Sequence, residues 1–495
     1  MHEKKSAERK EEANPEGMTH PKSEFSEWFS EVIAKTQLSD LRYNVKGFLV
    51  FREWAVLCME EMYRALEREL QGKGHQPVWF PAVIPEKNFK KESEHVEGFA
   101  PEVFWITHAG DEKLTERLAL RPTSETAMYT MYSKWIRSWR DLPLKLYQRC
   151  QVWRYETKAT RPFIRSREFH WIEAHDVFAT KEEAEKQVHE DIDTTEKVMH
   201  GQFGIPFIPF KRPEWDKFAG AIYTVAADTL MPDGKVLQQP STHFLGQNFA
   251  RPFGISFIDR NEKEQIAWQT CYGPAVSRIM ASVIAMHGDD KGLIFPFEIA
   301  PVQVMIVPII KSGEEERIHA KCESIRGMLD KEGLRVRVDY SENSAGWKFN
   351  HWEMRGVPIR LELGPRDIDR KQAVLVRRDT GEKSPVPEKE IYLAVKEAGS
   401  ALTHNLVKKA DAWFGSMVRS AGTMHELEAE LDKGGFVRVE FCSRDSEGRK
   451  CAEKIKEMLH AEVRGDRADV HENPKGKCIA CGKKANVVVY VGRQY

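Results

Sequence analysis

The chain has 495 residues, which at roughly 150 residues per domain predicts about three domains, and its 41% hydrophobic and 31% charged content belongs to an ordinary globular protein. Seventy-five basic side chains against seventy-six acidic ones leave a net charge of −1, which excludes a bulk electrostatic grip on nucleic acid while leaving local basic surfaces open. The longest nearly apolar run, Pro301 to Ile310, falls far short of the ~18 residues a membrane span needs, and eight cysteines are too few for a disulfide scaffold. The opening MHEKKSAERKEEANPEG lacks the apolar segment of a secretory signal. The expectation is a cytoplasmic protein with no membrane partner and a disordered lead-in over residues 1–22.

The block 23–297 opens with a predicted helix over Gly47 to Leu70, with Phe51, Ala55, Cys58, Met62 and Leu66 on one stripe. A strand follows at Val78 to Pro81. A second helix begins in Arg121-Pro-Thr-Ser-Glu-Thr126, with proline and an acid in its first turn, and carries Met128, Met131, Trp135 and Trp139 on its apolar face. Strand-like runs then arrive at Leu144–Tyr155, Glu168–Phe178, Gln238–Gln247 and Ala267–Tyr272, with a helix around Lys181 to Met199 among them. Successive strands suggest an antiparallel sheet, so this block reads as α+β rather than doubly wound. The block 298–385 alternates instead: strand Val302–Val307, a helix with Ile318, Cys322, Ile325 and Leu329 in register, strand Leu334–Val338, a helix near Trp347 to Arg355, then strands Ile359–Leu363 and Ala373–Val376. That grammar is a small α/β domain of parallel or mixed pairing. The block 386–495 holds charged amphipathic helices, strands at Phe436–Phe441 and Val487–Tyr490, and four cysteines. Cys58, Cys150 and Cys322 read as buried small hydrophobes.

Between Arg140 and Glu168 lie eight Lys/Arg and three Asp/Glu, a local excess of five positive charges. Two strands joined by such a loop hold guanidinium groups over a polyphosphate, which arginine grips bidentately, although an arginine cluster taken singly is as well read as a solvated hairpin. Within it Arg154 and Arg165, Glu156 two residues after the first, and Phe169 four after the second coincide; Phe169 can stack on a base and Glu156 can accept from an exocyclic amine. Further on, Cys271-Tyr-Gly273-Pro-Ala275-Val-Ser-Arg278 ends a strand and opens a helix, placing an arginine beside free backbone N–H groups.

Together these residues resemble the three motifs of class II aminoacyl-tRNA synthetases: the long helix and strand ending at Pro81 as motif 1, Arg154 through Phe169 as motif 2, Gly273 to Arg278 as motif 3. Arg-Pro-Thr123-Ser-Glu125-Thr, Arg-Pro-Phe-Ile-Arg165-Ser166-Arg-Glu-Phe, Trp171-Ile-Glu173-Ala-His175, Phe218-Ala-Gly220, Ser241-Thr-His243-Phe-Leu-Gly-Gln-Asn248 and the final Tyr495 are similar to the prolyl-tRNA synthetases of the archaeal and eukaryotic type. The resemblance extends over nearly the whole chain after about residue 20. It implies a ligase that activates L-proline with ATP and Mg²⁺ and passes it to the 3′ end of tRNA(Pro), and a homodimer built through motif 1. It implies a catalytic domain over 23–297, an anticodon-binding domain over 298–385 and a zinc-type extension over 386–495. Carried over by position, proline would meet Thr123, Glu125, Arg154, Trp171, Glu173, His175, Phe218, His243 and Gly273. ATP would meet Arg154, Glu156, Arg165, Ser166, Phe169, Gln238, Ser241 and Arg278, with Arg154, Glu156 and Arg278 carrying the chemistry. The chain departs from the family at Ala275, where glycine is common, and at Ser241, where threonine is.

Cys442-x8-Cys451 and Cys478-x2-Cys481 are the expected ligands of a structural Zn²⁺; the second spacing suits a zinc knuckle and the first is long for one. Ten positive residues against six negative between Arg335 and Arg378, with Gly364-Pro-Arg366-Asp367 at a strand end, mark the expected anticodon surface. About ninety residues separate Asp176 from Ala267, too few for the sheet strands they must supply plus an editing domain of ~100 more, so no cis-editing site is expected and cysteine and alanine should be misactivated. Two alternatives remain: a tRNA-binding paralogue without catalysis, which should have lost one of Arg154, Glu156 or Arg278, and a class II synthetase for another small amino acid. Of the latter, a threonine enzyme should offer a Cys/His/His metal set in the pocket, and none can be assembled from the sequence.

Overall fold

The computed structural model describes residues 17–89 and 103–495. Backbone contacts group them into two units. One comprises the described residues up to Thr36 with Gly288–Ile294 and Val302–Ala398; the other comprises Gln37–His287, Phe295–Pro301 and Gly399–Tyr495.

The larger unit is organised by an eleven-stranded sheet of β1 (Gln76–Pro77), β2 (Leu144–Trp153), β3 (Glu168–Phe178), β4 (Ile208–Lys211), β5 (Tyr223–Leu230), β6 (Val236–Gly246), β7 (Trp268–Gly273), β8 (Val418–Ser420), β9 (Phe436–Phe441), β10 (Glu462–Arg467) and β11 (Val487–Gly492), in the order β8-β9-β11-β10-β4-β5-β6-β7-β3-β2-β1. Every pairing is antiparallel except the two outermost. The α+β reading of the sequence is thereby met. The C-terminal strands extend the same sheet through β10, whose Asp466 and Arg467 pair with Lys211 and Phe210 of β4.

Helix α1 (Glu53–Gly72) buries Ala55, Cys58, Met62 and Leu66 almost completely, and a fully buried Met or Leu contributes about 1.5–3 kcal/mol. It starts later than the stripe suggested. Val50–Phe51 pairs with Ser39–Asp40 as a two-residue ladder and Arg52 is extended, so the Phe51 ring turns instead to Phe163 at 5.1 Å and His170 at 5.2 Å. The strand expected at Val78 to Pro81 is not formed; the pairing lies just before it, in β1. Beyond it Val78 still donates to the Tyr147 carbonyl at 2.9 Å, but Phe80 donates to the Gln148 side chain and Pro81 has no N–H to give. Helix α2 (Glu125–Trp135) is shorter than its apolar face implied, and Trp139 lies in a separate 3₁₀ turn. The hairpin Trp105–Ala109/Glu112–Leu120 was not predicted; half of its residues are polar and only Ala119 is buried, so it carries no continuous apolar run. Helices α3 (Lys181–Thr195), α4 (Val276–His287) and α5 (Arg449–Leu459) complete the elements needed below.

In the smaller unit the strands Val336–Val338, Val304–Pro308 and Ile359–Leu363 are parallel, and Gln372–Arg377 and Lys383–Pro387 close the sheet antiparallel, a mixed α/β layer as the alternation predicted. Its last strand crosses the expected boundary at 385. The helix Phe25–Lys35, assigned from sequence to the catalytic block, belongs to this unit; Trp28 donates to the Asp289 carbonyl at 3.0 Å. Most of the expected disordered lead-in lies outside the described residues. The described part, 17–22, is tied down: the Thr19 and His20 amides donate to Glu31 at 2.9 Å and Lys22 reaches the Gly288 carbonyl at 2.6 Å.

Candidate active site

Side chains two apart on a strand share a face, and the register of the central strands turns that rule into a cavity. His175 on β3 stands opposite Cys271 on β7, Cys271 opposite His243 on β6, and His243 opposite Thr224 on β5. One step along, Gly273 pairs with Ser241. Phe169, Trp171 and Glu173 continue the face of β3. A cavity of about 240 Å³ opens here, walled also by Thr123 and Glu125 from the start of α2, by Arg154, Phe218 and Gln238, and by Arg278 from α4. Gly273 has a steric reason: a Cβ there would stand 3.1 Å from the Trp171 ring.

The floor is acidic and tightly held. Glu173 is buried and accepts from the Ser124 amide at 3.1 Å, the Ser124 hydroxyl, Gln148 Nε2 at 2.8 Å and Cys150 Sγ at 3.3 Å, and pairs with His175 Nε2 at 3.2 Å. Burial alone would push its carboxyl up, but the bonds from His175, Ser124 and Gln148 outweigh that and hold it below the usual range. For His175 burial works against the proton and Glu173, Glu125 and Asp176 overcome it, so its pKa rises. His243 goes the other way, down to about 3, through burial and the neighbouring His175 and Arg212. It is a neutral ring between the Thr224 hydroxyl at 2.8 Å and the Ser241 hydroxyl at 3.1 Å, with the Phe218 ring 4.7 Å away. Glu125, also buried, accepts from the Thr123 hydroxyl. An apolar wall of Trp171 and Phe218 above buried carboxylates suits a small apolar cation.

The opposite wall is cationic. Arg154 opens to the cavity with its Nε on the Pro122 carbonyl at 3.1 Å and its guanidinium 5.1 Å from the Phe169 ring and 5.7 Å from that of Trp171. Burial, with Arg154 and Arg165 nearby, brings Arg278 down to about 10, still a cation at neutral pH; its contacts are the Ile164 and Gln238 carbonyls, both at 3.3 Å. Glu156, Arg165 and Ser166 stand outside the cavity lining. Glu156 and Arg165 approach to 3.8 Å, and the Ser166 hydroxyl donates to the Glu168 carbonyl at 2.6 Å. Thirteen of the sixteen candidate residues for proline and ATP therefore line one cavity.

Sequence reasoning missed Arg212, Gln239, Thr224 and Cys271, which share that lining. Cys271 could have been found from the strands already read; Thr224 lies on β5, where no strand was expected, and nothing local marks Arg212. It also left Tyr495 without a position. The last carbonyl of the chain accepts from Arg165, its ring lies 5.3 Å from the Arg161 guanidinium, and its hydroxyl donates to Asp233 at 2.7 Å. Cys150 is buried as expected and in addition bonds Glu173. Glu125, His175 and Cys271 converge within 4.8 Å, a set with carboxylate where a threonine-type metal site would need a second histidine.

Away from the cavity, the four Sγ atoms of Cys442, Cys451, Cys478 and Cys481 all lie within 4.8 Å of one another, with Cys442 and Cys451 3.6 Å apart. The long first gap is taken up by a 3₁₀ turn at Ser446–Gly448 that returns the chain from β9 to the first turn of α5. In the smaller unit much of the positive excess is already paired: Arg378 with Asp289 at 2.6 Å, Arg377 with Asp379 at 2.8 Å, and Arg360 and Lys383 with Glu362, both at 2.9 Å. Arg366, Arg370 and Lys371 are exposed at one end.

Comparison with known proteins accords with this arrangement. The family model for the class II core domain of tRNA synthetases (G, H, P, S and T) matches residues 104–287, that for an anticodon binding domain 303–398, and that for the C-terminal region of prolyl-tRNA synthetase 424–495. The proline–tRNA ligase of Thermofilum pendens is 50% identical over 484 residues, covering 97% of this chain and 99% of that protein; that of Pyrococcus horikoshii is 42% identical over 95% and 98%. A solved structure of Giardia lamblia prolyl-tRNA synthetase in complex with prolyl-adenylate superposes with a TM-score of 0.92 at 36% identity, covering 97% of this chain and all of that one. With a class II core, an anticodon-binding domain and the family's own C-terminal domain in one chain, this protein belongs to the prolyl-tRNA synthetases, the proline–tRNA ligases of class II.

Proposed function

We propose that the cavity binds L-proline and MgATP, joins them as prolyl-adenylate, and hands the prolyl group to the 3′ end of tRNA(Pro). The observation that carries this is the juxtaposition, in one cavity, of a buried carboxylate and aromatic wall with Arg154 and Arg278. Glu125 and Thr123 receive the secondary ammonium, Trp171, Phe218 and His243 enclose the ring, and Glu173 and His175 hold the floor in place. Arg154 reaches the proline carboxylate and the α-phosphate; Arg278, Gln238, Ser241, Phe169 and the outlying Glu156, Arg165 and Ser166 serve ATP. A carboxylate oxygen attacks the α-phosphorus and pyrophosphate leaves, so catalysis is alignment plus charge stabilisation, with Mg²⁺ arriving on the triphosphate. The domains are the catalytic block 23–297, less the helix Phe25–Lys35, an anticodon-binding block from 298 to about 398, and the C-terminal extension after it.

Three further features belong to this reading. The cysteine cluster suits structural Zn²⁺, since tetrahedral ligands at about 2.3 Å put sulfurs roughly 3.8 Å apart, near the Cys442–Cys451 separation. Motif 1 serves a homodimer; Trp79, 90% exposed, and the exposed Leu41, Tyr43, Val45 and Val83 are apolar surface in want of a partner. The cytoplasm is the location this reading carries; no described helix is long and apolar enough to cross a membrane.

The segment between β3 and β7 is used up by α3, β4, β5, β6, a short helix and a small hairpin, which supports the absence of a cis-editing domain. Selection then rests on the cavity alone. Each missing methylene in an apolar pocket is worth only about 1–3 kcal/mol, so alanine and cysteine should both be adenylated at measurable rates. The test is to supply preformed alanyl-tRNA(Pro) and follow deacylation. Loss at the buffer rate is expected; enzyme-dependent hydrolysis well above it would show an editing centre.

A further inference from the structure

Gln238, on the ATP side of the cavity, is linked to the C-terminal extension through Arg212. Its amide oxygen lies 3.3 Å from Arg212 Nη2, and its backbone carbonyl accepts from Arg278 Nη1 at 3.3 Å. A guanidinium only donates, so the oxygen of Gln238 must face Arg212 and its NH₂ must face away from it. Arg212 is in turn fixed by Asp228, with Nη1 on Oδ2 at 2.8 Å and Nη2 on Oδ1 at 2.6 Å. The same carboxylate accepts Arg464 Nε at 2.8 Å, and the Arg464 carbonyl accepts Arg212 Nη1 at 2.9 Å. The side chains of Arg212 and Arg464 are 1% exposed and that of Asp228 is not exposed at all.

Arg464 comes from β10 of the C-terminal extension, and the chain is shaped to deliver it. The ladder between β10 and β11 shifts register between Val463 and Gly465. Gly465 has φ +125°, and a Cβ there would lie 2.1 Å from the Lys211 carbonyl, so only glycine lets β10 approach the β4 end of the sheet this closely. Gln494 Oε1 accepts Arg464 Nη1 at 2.9 Å and Glu462 stands 3.3 Å from it. Buried charge clusters contribute little net stability compared with well-packed apolar residues of similar volume. Two guanidinium groups sharing one carboxylate beneath a substrate cavity are better accounted for by what they hold in place.

We propose that Arg464 is a positioning residue for ATP: through Asp228 and Arg212 it fixes the orientation of the Gln238 amide, so that adenylate formation depends on the C-terminal extension. This rests on the assignment of Gln238 to ATP. The effect should fall on one substrate. Arg464→Met frees Arg212 and Asp228 to rearrange and Arg464→Lys keeps the charge with one donor group, while neither touches the Glu125–Trp171 end of the cavity.

The experiment is proline-dependent ATP–pyrophosphate exchange on the full-length chain, with KM measured separately for ATP and proline. Arg464→Met should raise the ATP KM about tenfold or more and Arg464→Lys about threefold, with the proline KM within about twofold of the unaltered protein in both. An ATP KM that stays at the unaltered value, or ATP and proline KM values that rise in parallel, would overturn the proposal. Should Arg464→Met fail to fold, Arg464→Lys decides by the same ratio. Absence of proline-dependent exchange in the unaltered chain would instead overturn the functional reading beneath it.

Discussion

Arg154 is the side chain to which the proposed mechanism gives two duties. It directly follows β2, leans over Phe169 and Trp171, and among the described residues its side chain is anchored through Nε, which leaves its two terminal nitrogens to the cavity. A guanidinium so placed can bridge a carboxylate and a phosphate during attack. Arg154→Ala should therefore depress proline-dependent pyrophosphate exchange by some 10²–10³, the usual effect of removing a transition-state donor, with an unchanged melting temperature; exchange within threefold of the unaltered rate would refute the role. Residues of this kind were legible in the sequence because they recur at fixed spacings within short motifs. Arg212 was not, because its importance comes from partners at positions 228, 238 and 464, which only the folded sheet brings together. Cys271 was quoted within a motif yet not read as a cavity residue; its place follows from the His175–Cys271–His243 register.

At the scale of elements, four strands of the large sheet, β2, β3, β6 and β7, were read within a few residues, and Glu168–Phe178 to the residue, but the buried β5 (Tyr223–Leu230) was not read, because its Ala-Ala-Asp centre carries little strand signal. Errors gathered where a tertiary partner decides the conformation. The start of α1 is set by the Val50–Phe51 ladder and the extended Arg52, and neither leaves a mark in the periodicity. The zinc-type motif shows the opposite relation: its awkward cysteine spacing becomes reasonable once a strand, a 3₁₀ turn and a helix start are seen to fill it. The purified protein should carry about one Zn²⁺ per chain, held by Cys442, Cys451, Cys478 and Cys481, with a structural role because four thiolates leave no open coordination position. X-ray absorption should give four sulfur ligands at about 2.3 Å. Four titratable thiols and no metal after gentle purification would exclude it.

The whole molecule assigns its tasks to separate regions. The cavity lies within the larger unit, and the exposed Arg366, Arg370 and Lys371 lie in the smaller one. Adenylate formation needs no anticodon, so Arg366→Ala should weaken tRNA charging several-fold and leave pyrophosphate exchange as it was; an equal fall in both would contradict the division of labour. The broad domain plan was visible in the shift from successive strands to alternating strands and helices. The membership of the Phe25–Lys35 helix in the smaller unit was not, because an amphipathic helix declares that it has a buried face and not what it is buried against. The central claim is that one cavity selects proline by its ring and ammonium and activates it on ATP. Pyrophosphate exchange with the unaltered enzyme across a panel of proline, alanine, cysteine, serine, threonine, glycine and histidine tests it most directly. Proline should give by far the highest kcat/KM, cysteine and alanine should follow at least tenfold lower by the methylene argument, and serine, threonine, glycine and histidine should fall below both. Exchange driven best by any amino acid other than proline, or by none, would contradict the account.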